Sequence, residues 1–268
     1  MLDLSGKTGV VTGASAGIGR EMARLLAADL GTLVLVARRK ERLAELAAEL
    51  VGKHPRLRVE VRAVDLVDRA ATGKMFEDLE LHGLSTDVLV NNAGFGDYGL
   101  FDKRAWSRQE ELLELNVVSA TYVLHRVVPG MIARGFGAIL NVGSSAGMLP
   151  GVGMSTYAAS KAYVNHLSEA LRAELAGTGV SVTTVCPGPV PTEFQEVAQT
   201  GERQPMPEAF YVDAVQCAEE AIEALKAGRA RVIPGMRMRA AVVSLESLPR
   251  ALVRPFLRRQ GEATRRRS

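Results

Sequence analysis

Short apolar runs alternate with helically periodic stretches along the first two thirds of the chain. Gly9-Val10-Val11 is an apolar run that leads into a glycine-rich turn. Ile18 to Asp29 then places Met22, Leu25 and Leu26 at helical spacing. Thr32 to Ala37 is almost wholly apolar, as a parallel strand covered on both faces must be. The same alternation predicts helices at 41–51, 69–81, 109–134 and 156–176, and strands at 57–64, 88–90, 138–142, 180–185 and 231–233. Strand and helix in regular succession predict an α/β fold, a single doubly wound Rossmann domain with a parallel sheet of about seven strands.

Two stretches break the rhythm. Residues 187–207 hold Pro187, Pro189, Pro191, Pro205 and Pro207 with Gly188 and Gly201, which forbids a continuous regular element and predicts a cover over a site, within about 187–227. Beyond Pro234 the character changes again, so the organisation expected is a catalytic domain at 1–235 and a basic amphipathic extension at 236–268. In that extension Ala241, Leu245, Leu248, Leu252 and Phe256 recur near helical spacing, with Pro249 and Pro255 expected to interrupt any long helix.

The 268 residues are 47% hydrophobic, enough for a substantial core. A net charge of +3 hides an asymmetry: residues 250–268 carry seven arginines against Glu262 alone, a local +6, so the rest carries −3. The excess belongs to the tail and gives no reason to expect nucleic acid as a partner of the body. For the tail two readings stand open: a cap on the substrate side or an oligomer contact, and weak peripheral attachment to anionic lipid. Cys186 and Cys217 have no metal-ligand neighbours and read as buried apolar residues. With no apolar leader at the N-terminus and no run of eighteen apolar residues, a cytoplasmic protein is the expectation.

The chemistry lies at the ends of the strands. Gly13, Gly17 and Gly19 follow a strand and open a helix. Gly13 permits the tight turn, Gly17 lets a pyrophosphate approach, and Gly19 lets helix pack on sheet. The helix N-terminus adds free N–H groups and the positive end of a dipole. After the second strand a carboxylate would select the 2′-hydroxyl of NAD, but the chain reads Val36-Ala37-Arg38-Arg39-Lys40. A guanidinium there holds a 2′-phosphate, which predicts NADP(H) as cofactor with Arg38 as the main contact, helped by Arg39 and Ser15. Asp65 and the run Asn91-Asn92-Ala93-Gly94 also close strands; Asp65 could accept from the adenine amine and Asn92 could stiffen the turn.

Tyr157 and Lys161 lie four apart near the start of a predicted helix and share a face. An adjacent ammonium favours the phenolate, so Tyr157 could give a proton to a carbonyl oxygen or take one from an alcohol. Ser144, after the fifth strand, could donate to the same oxygen. Asn116 is a polar residue in an otherwise apolar helix, open to a structural or a functional reading.

Taken together, the turn Thr12–Gly19, the block 91–94, Asn116, Ser144, the Tyr157/Lys161 pair and Pro187-Gly188 with Thr192 resemble a short-chain dehydrogenase/reductase across about residues 6–195. The resemblance implies a tetrad of Asn116, Ser144, Tyr157 and Lys161, with Asn116 in a proton relay and Lys161 also holding the nicotinamide ribose. It implies cofactor contacts from Ile18, Leu66, Asn92, Pro187, Gly188, Val190 and Thr192, and a homodimer or homotetramer through the two long helices. Many NADP(H)-preferring relatives carry a basic residue where this chain has Ala16.

Phe95, Tyr98, Leu100, Met148, Leu149, Val152, Met154, Phe194 and Met206 make the surrounding loops apolar, which predicts a small-molecule ketone or ketoacyl substrate. The alternatives are a nucleotide-sensing scaffold with this fold, and a peripheral-membrane lipid-modifying reductase.

Overall fold

Val10, Val34, Val36, Leu89, Ile139 and Val182 point to one side of a sheet, and Val11, Leu33, Leu35, Val88, Val90, Leu140 and Val185 to the other. Apolar residues at both phases of a strand need cover on both faces, and helices supply it. The computed structural model describes residues 1–198 and 206–267, and all structural statements concern those. They form a seven-stranded parallel sheet: β1 (Thr8–Thr12), β2 (Thr32–Ala37), β3 (Arg58–Ala63), β4 (Val88–Asn91), β5 (Gly137–Val142), β6 (Val180–Val185) and β7 (Arg231–Val232). The order is β3-β2-β1-β4-β5-β6-β7, with chain direction reversing its march between β1 and β4. Ligands of such sheets bind at that switch, beyond the strand C-termini.

Helices α1 (Gly17–Leu26), α2 (Lys40–Lys53) and α3 (Arg69–Leu81) follow the first three strands. After β4 come α4 (Trp106–Leu113) and α5 (Ala120–Arg134), then α6 (Ser155–Glu174) after β5. Beyond β6 lie α7 (Glu193–Ala198) and α8 (Ala214–Lys226), and beyond β7 lie α9 (Met236–Glu246) and α10 (Arg250–Arg267).

Three differences from the sequence reading matter. The long helix begins at Trp106, and its third turn widens into a π-helical stretch over Glu114–Ser119 that contains Asn116. Such a stretch inserts one extra residue per turn and re-aims side chains. Within the stretch 187–227, α8 buries Cys217, Ala218, Ala221, Ile222, Ala224 and Leu225 and packs in the core. Its start is fixed by the Asp213 side chain, which accepts a hydrogen bond from the Gln216 amide. Gly201 and Pro205 of the cover lie outside the described residues. Finally, Pro249 does separate two helices, but Pro255 is accommodated inside α10.

Helix α9 docks Met238 and Val242 against Met148, Cys186 and Ile233. Both cysteines are fully buried, and burial pushes each thiol up to about 12, so they serve as packing groups. Among the described residues no helix is long and apolar enough to cross a membrane.

Candidate active site

The glycine turn is closed on itself by side chains from the fourth strand. Thr12 Oγ1 accepts from the backbone amides of Asn92 (2.9 Å) and Ala93 (3.0 Å) and donates to the Val90 carbonyl. Asn92 Nδ2 returns a hydrogen bond to the Thr12 carbonyl at 2.8 Å. A Cβ on Gly13 would stand 2.6 Å from Asn92 Nδ2, and one on Gly19 would stand 2.3 Å from it and 2.6 Å from the Gly13 carbonyl oxygen. Backbone packs here where only hydrogen fits, and the N-terminus of α1 is left facing a cleft of about 350 Å³.

Gly13, Ser15, Gly17, Ile18, Arg38 and Arg39 line one end of that cleft. Asp65, Leu66 and Asn92 form its floor, while Ser144, Tyr157 and Lys161 occupy the other end. Pro187, Gly188, Val190 and Thr192 line the side from which the cover departs. The sequence-predicted residues thus gather in one cavity, except Gly19 and Asn116, which do not line it.

Arg39 donates through Nε and Nη2 to Ser15 Oγ at 3.3 and 3.1 Å, so the glycine turn and the end of β2 are tied together. Its Nη1 reaches Glu193 of α7 at 2.8 Å, and Arg42 grips the other oxygen of the same carboxylate. These hydrogen bonds, from Arg39 first and then Arg42, hold the Glu193 carboxyl below the usual carboxylate range. Arg38 extends into solvent with Nη1 3.9 Å from Asp65 Oδ2. Asp65 also accepts from the Val67 amide at 3.2 Å. Guanidinium groups, a hydroxyl and a helix N-terminus therefore converge at one end, a set that suits a phosphate.

At the other end, α6 presents Tyr157 and Lys161 one turn apart, both buried. Lys161 Nζ donates to the Val142 carbonyl at 2.8 Å, and burial lowers its pKa to about 8. Ser144 Oγ accepts from the Ala146 amide at 3.1 Å and makes a long 3.4 Å contact to the Pro187 carbonyl. Asn165 Nδ2 bonds the Ser144 carbonyl at 3.1 Å and fixes the serine's backbone. Asn116 spends its amide on the turn after β4: Oδ1 accepts from the Phe95 amide at 3.1 Å, while Nδ2 donates to the Phe95 carbonyl at 2.9 Å and to Ser160 Oγ at 3.2 Å. The π-helical stretch is what turns this side chain inward, and it locks that helix to the loop carrying Phe95.

The cover contributes residues that no motif signalled. Phe194 packs its ring on Tyr157 with centroids 5.8 Å apart. Arg108 lies 3.9 Å over the Phe95 ring and donates to the Val197 carbonyl of α7 at 3.1 Å. Of the loop residues expected to bound a pocket, Phe95 and Phe194 line the cleft and Met154 packs behind them. Met148 instead joins the core under α9, and Leu149 lines a separate cavity of about 610 Å³ beside α6. An apolar loop residue takes whichever apolar surface lies nearest, and α9 supplied one.

The family model described as short chain dehydrogenase matches residues 7–203, and the chain belongs to that family. It is an oxidoreductase of the alcohol/carbonyl type that uses a nicotinamide dinucleotide. Among its relatives is sulfoacetaldehyde reductase 2 of Chromohalobacter salexigens, 38% identical over 81% of this chain and 85% of that protein. Another is the NADP-dependent 3-hydroxy acid dehydrogenase YdfG of Escherichia coli K12, 36% identical over 72% of this chain and 77% of that one. A short-chain dehydrogenase from Sphingobium yanoikuyae, solved in complex with NADPH, superposes with a TM-score of 0.81 at 32% identity, covering 92% of this chain and 95% of the other.

Proposed function

We infer that this chain is an NADP(H)-dependent carbonyl reductase, acting on an apolar ketone or ketoacyl-type substrate and reversible in principle. The observation that carries the reading is a single cleft with a phosphate-suited end (Ser15, Arg38, Arg39) and a proton-transfer end (Ser144, Tyr157, Lys161). Relatives named as NADP-dependent or solved with NADPH support the cofactor, and the Phe95–Phe194 wall supports an apolar substrate.

The bound dinucleotide would supply or accept the hydride. Gly13, Gly17, Ile18 and Gly19 would hold its pyrophosphate at the start of α1. Arg38, Arg39 and Ser15 would surround the 2′-phosphate; Asp65 and Leu66 would meet the adenine. Asn92, Pro187, Gly188, Val190 and Thr192 would complete the wall, with Thr192 toward the carboxamide. Tyr157 protonates the carbonyl oxygen, and the Lys161 ammonium stabilises the phenolate left behind and holds the ribose. Ser144 donates to the same oxygen; its 3.4 Å contact to Pro187 is weak enough to be exchanged for substrate. Asn116, its amide engaged by Phe95, serves the proton relay through the helix it positions rather than through its side-chain tip. We place the enzyme in the cytoplasm as a homodimer or homotetramer, with the exposed Ile132 and Tyr163 on α5 and α6 at the contact.

NADPH oxidation with a panel of ketones tests the activity. Tyr157→Phe should lower turnover by at least about 100-fold while NADPH still binds. Arg38→Asp should weaken NADPH and spare NADH. Tight NADPH binding with no ketone turned over would favour a nucleotide-sensing scaffold, and unchanged NADPH affinity in Arg38→Asp would refute the phosphate site.

A further inference from the structure

We propose that the outward face of α10 forms a docking surface for an anionic phospholipid membrane. Helix α10 spans 18 residues, about 27 Å. Val253, Leu257, Gln260, Gly261 and Thr264 form its half-buried side, which fixes which face is turned out. On the outer face Leu252 and Phe256, one turn apart, are 64% and 67% exposed. Arg259 and Arg266 are exposed next to them, and Arg254 and Arg258 on the opposite flank.

The far end of the helix is anchored. Arg265 donates through Nη1 and Nη2 to the two oxygens of Asp102 at 3.0 and 2.9 Å. This bidentate pair ties α10 to the 101–106 segment on the flank opposite Phe256, since nine positions turn a helix by half a revolution. Leu252 and Phe256 leave two large apolar side chains side by side in water on a basic helix, which calls for a partner.

Charge selects the partner. Residues 250–268 carry +6. A two-fold contact with a second copy would bring two such clusters together, whereas a leaflet rich in anionic headgroups attracts them while Leu252 and Phe256 enter its interface. The separation of roles is the one an interfacial helix requires: cations for the headgroups, a narrow apolar strip for the acyl boundary.

Co-sedimentation of the full chain with vesicles tests this, comparing phosphatidylcholine alone with phosphatidylcholine mixed with phosphatidylglycerol. The expected result is binding to the mixed vesicles, little to the neutral ones, and release as salt rises. Arg259→Glu/Arg266→Glu should weaken partitioning by at least about 25-fold, at roughly fivefold per basic residue. Leu252→Ser/Phe256→Ser should also lower it, with the melting temperature unchanged because these side chains touch water. Absence of binding to the anionic vesicles overturns the proposal, as does binding that Leu252→Ser/Phe256→Ser leaves intact. If that double variant instead dissociates an oligomer while the wild type ignores vesicles, the face is a contact between copies and the lipid proposal fails.

Discussion

Replacing Lys161 with methionine should make the protein more stable while abolishing its chemistry. The ammonium is buried, 5% exposed, and its hydrogen bond goes to the neutral Val142 carbonyl at 2.8 Å. Burial lowers its pKa from 10.5 to about 8, a drop worth about 3 kcal/mol against the charged form. The unfolded chain keeps that proton up to the ordinary lysine value, and the folded chain releases it near 8. Below about pH 8 the full cost is present; between there and 10.5 the unfolded state binds more protons and stability rises with pH. Methionine has similar length and no charge, but leaves the Val142 carbonyl without this donor, at about 1–2 kcal/mol. The net gain near neutrality is then roughly 1–2 kcal/mol, or a melting temperature higher by about 2–4 °C. Calorimetric scans of both proteins without cofactor, at pH 6 and pH 9, check it. The gap should be wide at the lower pH and narrow at the higher. A methionine variant that melts below wild type at pH 6, or a gap that ignores pH, refutes the idea that the site holds its cation at the expense of stability.

Glu193→Gln should tighten NADPH about fivefold and leave NADH unchanged, because the carboxylate competes with a 2′-phosphate for Arg39. The figure comes from two half-exposed ion pairs worth together roughly 1 kcal/mol. Since the folded-state pKa of Glu193 is depressed, this competition is complete above the usual carboxylate range and fades only as pH falls through the lowered value. Equal effects on the two nucleotides, measured by fluorescence titration, would count against it. Gly19→Ala should abolish measurable dinucleotide binding and cost about 1–3 kcal/mol in denaturant titrations, since its Cβ would stand 2.6 Å from the Gly13 carbonyl oxygen, which belongs to backbone and cannot swing away. Retention of wild-type affinity would mean that the turn yields more easily than its hydrogen bonds imply.

The sheet and most of the cleft were legible because both rest on local signals. Apolar runs such as Thr32–Ala37 can only be strands covered on two faces, and the cleft residues sit where those strands end. Helix α8 escaped because its buried face is built largely of alanine and cysteine, which dilutes the apolar period; the Asp213 cap was the signal available. The π-helical stretch at 114–119 shifts the period by a single residue and leaves no mark in composition. The destination of Met148 depended on α9, some ninety residues later, and could not be read from the 145–155 loop.

The cover shows why such long-range contacts matter. Helix α7 has six residues, too few to persist in water, so contacts outside it must hold it in place. Glu193 binds Arg39 and Arg42 at the phosphate-suited end, the Phe194 ring packs tilted against Tyr157, and the Val197 carbonyl takes Arg108 above Phe95. One short helix thus touches three stations of the cleft. A 2′-phosphate that draws Arg39 away from Glu193 would leave Arg42 alone on that carboxylate and weaken one of the three holds. Under the proposed cofactor reading, Phe194 and Val197 would then bear on Tyr157 and Phe95, and cofactor binding would reach both through a segment with little stability of its own.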